Sequence, residues 1–271
     1  MKRLGYVLLF GLIGITGVYA QDSNRKPEVD EKYKMFNKTM VRRMDLEEKQ
    51  NKPFFSKNGE LSRILLQAMA NGDLKVYASD STNKVMPDST LQKMLAFTIT
   101  EQRPSNPNDL YSPLVDTEVT TPIPANLFTV VYIKEDVIFD RNRSRMYWYI
   151  RTLTLTVPGK PEYVNQYGIT GEMSNYLHFN YDEVVEVLRS EKYRDKAIWY
   201  NGQNIAAHRN MSDAFELRLF SAPIIKVSNQ DDLDIRQIYA QEIGKDPMKA
   251  LLIQQQMDFD LADYEAQLWS Y

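Results

Sequence analysis

The strongest pattern along the chain is a long run of β-branched and aromatic residues near its middle. Residues 128–139 and 146–157 carry most of them, and the polar segment 140–144 separates the two runs. Such runs around a polar turn are typical of an antiparallel β-hairpin. The charged residues 134–136 interrupt the first run, which predicts either a β-bulge or a solvent-facing edge at that point.

Apolar residues at helical spacing surround this hairpin. A short helix is predicted over 60–70, where Asn71 and Gly72 end the pattern, and a second helix over 89–97. A long helix is predicted from 247 to the end of the chain, because Pro247 suits the first turn and apolar residues recur behind it.

Two asparagines mark the starts of further helices. Asn180 precedes one, with Glu183 as the reciprocal acid of a capping box, and Asn210 precedes another. A strand is predicted over 222–227. Together these elements predict an α+β fold with an antiparallel β-hairpin or sheet core, flanking short helices, a single main domain and a mobile N-terminal arm.

After residue 20 the predicted organisation has three parts. Residues 21–38 are polar and form the arm, 39–245 form the main domain, and 246–271 form a C-terminal helix. Five prolines fall within 103–124, so this stretch is interpreted as a long excursion or linker and as the only plausible internal boundary.

The first 20 residues have the pattern of a signal peptide. Lys2 and Arg3 precede an uncharged apolar run, and cleavage is predicted between Ala20 and Gln21. No later segment is apolar over 18 residues, so no membrane insertion is expected after cleavage.

Composition narrows the possible chemistry. The 271 residues include no cysteine and two histidines, which removes disulfides, thiolate chemistry and most histidine-built sites. Loss of Lys2 and Arg3 from the 33 basic residues leaves 31 against 36 acidic ones, a formal charge of −5. Nucleic acid is therefore not expected as a partner, and no cofactor or metal is expected.

Candidate catalytic groups are weak. Glu135, Asp136 and Asp140 lack the spacing of a calcium loop, with or without an acidic cluster further along the chain, and solvated turns are the simpler interpretation. Packed or hydrogen-bonded histidines are likewise favoured over catalytic ones, and no serine has a hydrolase elbow around it. The acidic cluster is Asp231, Asp232 and Asp234, the histidines are His178 and His208, and the candidate serines are Ser212 and Ser221.

Two features of the hairpin are candidates for partner contact. Tyr147 and Tyr149 must face the side opposite Trp148, and exposed tyrosines suit sheet cover, protein contact or a glycan surface. Basic residues alternate through the hairpin tip, which is either a solvated turn or a docking patch for an acidic partner. These are Arg141, Arg143 and Arg145.

Several strings occur together in an order and spacing that resemble the GldN/PorN family of the type IX secretion and gliding apparatus. The resemblance spans about 35–235. Its strings are 42–46 (RRMDL), 52–55 (KPFF), 133–140 (IKEDVIFD), 144–146 (SRM), 197–201 (AIWYN), Asn210, 213–215 (DAF) and 217–220 (LRLF).

The resemblance implies a periplasmic structural subunit without catalytic residues. In this family many copies form a large ring with an outer-membrane lipoprotein of the PorK or GldK type, which supplies the membrane attachment. The ring also contacts the periplasmic part of a PorM or GldM type motor protein.

A closed ring needs two different patches on each subunit. We expect the arm 21–38 and the hairpin 128–157 to supply them, the hairpin through a β edge and its aromatic rows. Two alternatives stay open: a peptidoglycan-binding module using Tyr147, Tyr149 and Trp199, and an exported enzyme using Glu135 or Asp136.

Overall fold

The computed structural model describes residues 27–104, 113–163, 176–244 and 246–268. The predicted cleavage site at Ala20 and Gln21 and the first part of the arm lie outside the described residues. The described chain combines helices with antiparallel sheets in one main domain, which confirms the predicted α+β class.

Short and long strands alternate with helices along the described chain. The strands are β1 (Lys34–Asp45), β2 (Phe55–Ser56), β3 (Gly59–Glu60), β4 (Ala96–Pro104), β5 (Leu114–Pro122), β6 (Val130–Asp140), β7 (Arg145–Thr156), β8 (Leu177–Asn180), β9 (Ile198–Trp199), β10 (Arg209–Asn210) and β11 (Ile224–Val227). The helices are α1 (Leu61–Ala70), α2 (Asp88–Leu95), α3 (Tyr181–Arg189), α4 (Met211–Glu216), α5 (Ile235–Ile238), α6 (Ala240–Ile243) and α7 (Pro247–Leu268).

A five-stranded antiparallel sheet in the order β11-β1-β6-β7-β8 forms the centre of the fold. The predicted hairpin is its β6–β7 pair, and the predicted bulge is present, because Lys134 pairs with Thr152 while Glu135 pairs with Ile150. On the β6 side β1 covers the hairpin along its length, whereas β8 pairs only with Thr152–Leu155 of β7. Among the described strands, the expected β edge is therefore limited to residues 145–151 of β7. The bulge is not solvent-facing, because Glu135 is fully buried.

Strand β1 takes in part of the segment predicted as an arm. Lys34 pairs with Asp140 and Phe36 with Phe139, so residues 34–38 belong to the sheet. The polar alternation in this segment is that of a half-exposed strand. A partner strand from the middle of the chain stabilises it, and local sequence carries no sign of that partner.

The described residues of the proline-rich stretch, 103–104 and 113–124, lie largely in a β-hairpin, so of the two interpretations the excursion applies and the linker does not. Strand β4 pairs with β5 from Ala96 opposite Pro122 to Pro104 opposite Leu114, as a two-stranded sheet of its own. Pro104 and Pro122 stand at strand ends, where the missing N–H breaks no ladder bond inside the sheet. Helix α2 accordingly ends at Leu95 and not at Phe97.

The predicted helices are otherwise confirmed. The side-chain oxygens of Asn180 and Asn210 accept hydrogen bonds from the N–H groups of Asp182 and Ser212 and so cap α3 and α4. Glu183 is not the reciprocal acid, because its carboxylate accepts a hydrogen bond of 2.6 Å from the Tyr77 hydroxyl.

One face of the main sheet carries two separate hydrophobic clusters. Alternate residues of β6 point to this face: Val131 and Ile133 join the first cluster, whereas Val137 and Phe139 join the second. Helices α1, α3 and α4 cover the first cluster, and α5 and α7 cover the second. Glu135 lies on the same face between them, so a charged group separates the two clusters.

Candidate interaction sites

The boundary between the two clusters is a buried ion-pair group, which we call the charged seam (Arg42, Glu135, Arg218 and Asp258). Arg42 Nε donates to Glu135 Oε1 at 2.7 Å, and Arg218 Nη1 donates to Glu135 Oε2 at 2.6 Å. Burial raises the pKa of Glu135, but hydrogen bonds and charge from Arg218 and Arg42 outweigh it, so the pKa lies below its usual value. The carboxylate therefore stays ionised between two cations.

The seam also connects the sheet to the C-terminal helix. Arg42 Nη1 donates to the Ala222 carbonyl and to Asp258 Oδ1 of α7, both at 3.0 Å. The Arg218 guanidinium lies 5.6 Å from the Trp148 ring centre and 5.3 Å from that of Phe220. These side chains line a groove of about 550 Å³ between the sheet and α7.

Arg218 occupies a strained backbone position. The N–H of Leu219 donates to the Ala214 carbonyl and that of Arg218 to Phe215, which is the Schellman ending of α4. The motif needs a left-handed residue, usually glycine, and Arg218 has φ of +55° there. An arginine at this position places its guanidinium on Glu135 at the cost of local strain.

Sequence reasoning missed this seam. Arg42 and Glu135 are 93 residues apart, and Arg218 is 83 residues from Glu135. The spacing gives no sign of the contact, and the only available signal was a charged residue at an inward-facing position of a hydrophobic strand.

The basic residues at the hairpin tip have different surroundings. Arg141 and Arg145 are exposed, whereas Arg143 Nη1 donates to Asp140 Oδ2 at 2.8 Å. Asp140 also accepts hydrogen bonds from the backbone N–H groups of Asn142 and Arg143, so it shapes the turn. Arg143 thus helps to hold the turn, and Arg141 and Arg145 present charge to solvent.

The aromatic residues of β7 alternate as predicted. Trp148 packs against the second cluster, and the rings of Tyr147 and Tyr149 lie together on the other side, 6.2 Å apart. The Tyr149 hydroxyl donates to the Pro27 carbonyl, and burial raises the pKa of Tyr149 to about 12. Trp199 of β9 packs against the first cluster, so it shares no surface with the two tyrosines.

The candidate carboxylates do not come together. Asp136 faces away from Glu135 and accepts hydrogen bonds from Thr39 Oγ1 at 2.8 Å and Arg151 Nε at 2.7 Å. Asp234 caps α5, and Asp232 pairs with Lys226. Within the described ranges, no group of three or more His, Cys, Asp or Glu side chains is arranged to hold a metal.

The histidines and serines singled out in the sequence also have structural partners. His178 Nδ1 lies 2.8 Å from Thr154 Oγ1, and His208 Nδ1 accepts from the Asn201 N–H at 3.1 Å. Ser212 Oγ accepts from Arg189 Nε at 3.0 Å, and the Ser221 backbone binds the buried Asn51 amide.

These observations define an α+β protein whose buried polar groups hold strands and helices together. A family model described as gliding motility associated protein GldN matches residues 29–270. The chain therefore belongs to the GldN family, and it is a component of the gliding motility and type IX secretion machinery. The match includes the β4–β5 hairpin, where the sequence had no recognised family pattern. It also includes α7, which lies beyond the region that carried the sequence resemblance.

No curated protein matches the chain. None of the helices in the described ranges has the length and apolar character needed to cross a membrane.

Proposed function

We propose that the chain is a non-enzymatic structural subunit in the periplasm. Copies of it assemble into a large ring with an outer-membrane lipoprotein of the PorK/GldK type, which holds the ring at that membrane. The ring contacts the periplasmic part of a PorM/GldM type motor protein. The family match supports this role, because the family is a structural component of the gliding machinery and not known as an enzyme family.

The β4–β5 hairpin is the observation that carries the proposal. It forms a separate sheet from the five-stranded one, and most of its described side chains are exposed, including Thr98, Asp116 and Glu118. A two-stranded hairpin is marginally stable by itself in water. An exposed hairpin of this kind gains stability when it docks on another subunit, which is typical of an assembling protein.

The charged seam supports a structural role for the most buried carboxylate. Glu135 is held by two arginines and kept ionised, so it has no proton to donate to a substrate at neutral pH. The ion pairs of Glu135 join β6 to β1 and to the segment that follows α4, and Arg42 extends this group to Asp258 of α7. This arrangement stabilises the fold, whereas a general acid needs a pKa near the working pH.

The tip of the β6–β7 hairpin is the proposed contact for an acidic surface of the lipoprotein. Arg141 and Arg145 are both exposed at the turn between β6 and β7. Opposite charges across an interface steer association and select the partner.

Purification of the tagged chain from its native cells tests the assembly. We expect a high-mass particle that contains a lipoprotein. Recovery of the chain as a free monomer would overturn the proposal, as would a chain found in the cytosol with residues 1–20 still attached.

Charge reversal tests the tip. We expect Arg141→Glu with Arg145→Glu to lower lipoprotein recovery about tenfold, which corresponds to about 1.4 kcal/mol of binding. Lys57→Glu with Lys93→Glu is the matched control, because both lysines are exposed elsewhere. Equal recovery from both double variants would remove the tip from the proposed interface.

A further inference from the structure

Helix α7 is apolar on two opposite sides. Its inner side packs against the second cluster through Ile253, Met257, Leu261 and Leu268. Three large apolar residues lie on the opposite side and are strongly exposed: Met248 at 61%, Leu252 at 57% and Phe259 at 67%. We call these three residues the outer stripe.

The spacing of the outer stripe places it on one line along the helix. At about 100° per residue, Met248, Leu252 and Phe259 fall within about 40° of one another, and Gln255 lies beside them. Exposed apolar residues in line on one helix face form a surface suited to contact with another apolar surface.

We infer that the outer stripe pairs with the outer stripe of a second copy of this chain, with the two α7 helices antiparallel and related by a two-fold axis near Gln255 and Gln256. In this arrangement Leu252 of each copy packs against Phe259 of the other. An isologous contact needs such self-complementarity, because the same patch meets itself.

The charges beside the stripe favour this partner and this direction. Lys249 lies near the start of α7, and Asp263 lies near its end on the same flank of the stripe. In an antiparallel pair, residues on the same flank meet across the interface, so Lys249 of each copy lies beside Asp263 of the other. In a parallel pair opposite flanks meet, so Lys249 would lie beside the apolar Leu251 of the other copy and the charges would stay unpaired.

The opposite flank is also complementary. Leu251 and Ala262 lie on that flank at the edge of the groove between α7 and the sheet, and the antiparallel arrangement brings Leu251 of one copy towards Ala262 of the second. The small side chain of Ala262 leaves room for leucine, as interdigitated helix packing requires.

Sedimentation equilibrium of the purified full chain tests the pairing. We expect a dimer whose dissociation constant rises about 30-fold or more in Phe259→Glu or Leu252→Glu, the effect of losing a central apolar contact. Val85→Glu is the control, since Val85 is an exposed apolar residue outside α7. The thermal midpoint of each variant shows that it is folded. A wild-type chain that stays monomeric at all concentrations overturns the inference.

A charge exchange tests the direction. Lys249→Glu should weaken the dimer about fivefold, and adding Asp263→Lys to the same chain should restore it. Failure of the second change to restore affinity would exclude the antiparallel register.

The absence of cysteine from the sequence allows a direct check by cross-linking. We expect Gln255→Cys to form a disulfide-linked dimer in oxidising buffer, because this position lies close to the two-fold axis. Met248→Cys should not, because the two copies of Met248 lie at opposite ends of the interface. Cross-linking through Met248→Cys would show parallel pairing and overturn the inference.

This inference does not depend on the proposed ring. The dimer is measured with the purified chain alone, whereas the ring is tested by co-purification with the lipoprotein. A negative result in one experiment leaves the proposal tested by the other unaffected.

Discussion

The two hydrophobic clusters lie on the same face of one sheet but differ in how completely the chain covers them. Residues of the first cluster such as Phe179 and Phe215 are fully buried beneath several helices. The second cluster is smaller, and α7, its main cover, exposes Leu252 and Phe259 on its other side. The chain itself covers the end of the sheet that carries the first cluster, whereas the end that carries the second cluster presents apolar surface for association.

The charged seam makes this division possible. A continuous hydrophobic core would join the two ends into one packing unit, whereas Glu135 and its two arginines interrupt it at mid-sheet. Buried ion pairs add little net stability, but removing one partner is costly. The seam adds the ion pair between Arg42 and Asp258 to the apolar contacts that hold α7 on the second cluster.

The largest expected effect lies in the first cluster. Phe215→Ala removes a buried ring that packs 4.8 Å from the Phe54 ring, and should lower the free energy of unfolding by about 4 kcal/mol. Phe259→Ala, on the outer stripe, is the matched comparison. Under conditions that keep the chain monomeric, chemical denaturation should show a change below about 0.5 kcal/mol. Similar losses for both variants would contradict the difference between the two ends.

Removing the central charge should have the next largest effect. Glu135→Gln removes the counter-charge of Arg218 and leaves Arg42 with Asp258 alone, so the free energy of unfolding should fall by about 3 kcal/mol at neutral pH. Asp136→Asn is the control, because Asp136 is on the polar face beside Arg151. Its cost should stay below about 1 kcal/mol.

The pH dependence of this variant has a defined sign. Because the pKa of Glu135 is lowered in the folded chain, its stabilisation is complete above the ordinary glutamate pKa, about 4.3, and is lost as the pH falls through the folded value. The gap between wild type and Glu135→Gln should therefore be constant from about pH 7 to about 5 and should narrow below about 4. A gap that widens on acidification would mean that the folded pKa is raised.

Local pattern was sufficient for elements that rest on local interactions. The β6–β7 hairpin, α1 and the Asn180 and Asn210 caps depend on neighbours a few residues away, and each was predicted. Strand β1 was missed, because it is stabilised by β6, which lies far along the chain.

The β4–β5 hairpin and the seam were missed for related reasons. Prolines at strand ends resemble linker prolines when the pairing is unknown, and Arg218 holds a position that sequence rules assign to glycine. Both features depend on contacts between distant segments. Such contacts are not encoded in local periodicity.

Helix caps sharpen the comparison with a smaller effect. The Asn210 side chain caps α4 and also donates to the Leu188 carbonyl of α3, so Asn210→Ala should cost about 1 kcal/mol of global stability. Asp246 accepts from the Met248 N–H at the start of α7. Asp246→Ala should instead speed hydrogen exchange in the first turn of α7 while the global free energy changes little. An equal global loss in both variants would show that the two ends unfold together.

The smallest expected effect concerns the opposite, polar face of the sheet. Burial lowers the pKa of His178, so the folded chain resists protonation of this imidazole while the unfolded chain accepts a proton near pH 6.5. Stability should therefore decline as the pH falls from about 7 towards the lowered folded pKa. His178→Asn keeps a polar atom near the Thr154 hydroxyl and should flatten this decline, as measured by thermal midpoints across that range. His208→Asn provides the control and should leave the decline in stability unchanged. If that change abolished the decline, the prediction for His178 would be wrong. Because His178 lies outside both clusters, its effect should add to that of Phe215→Ala without interaction between the two sites.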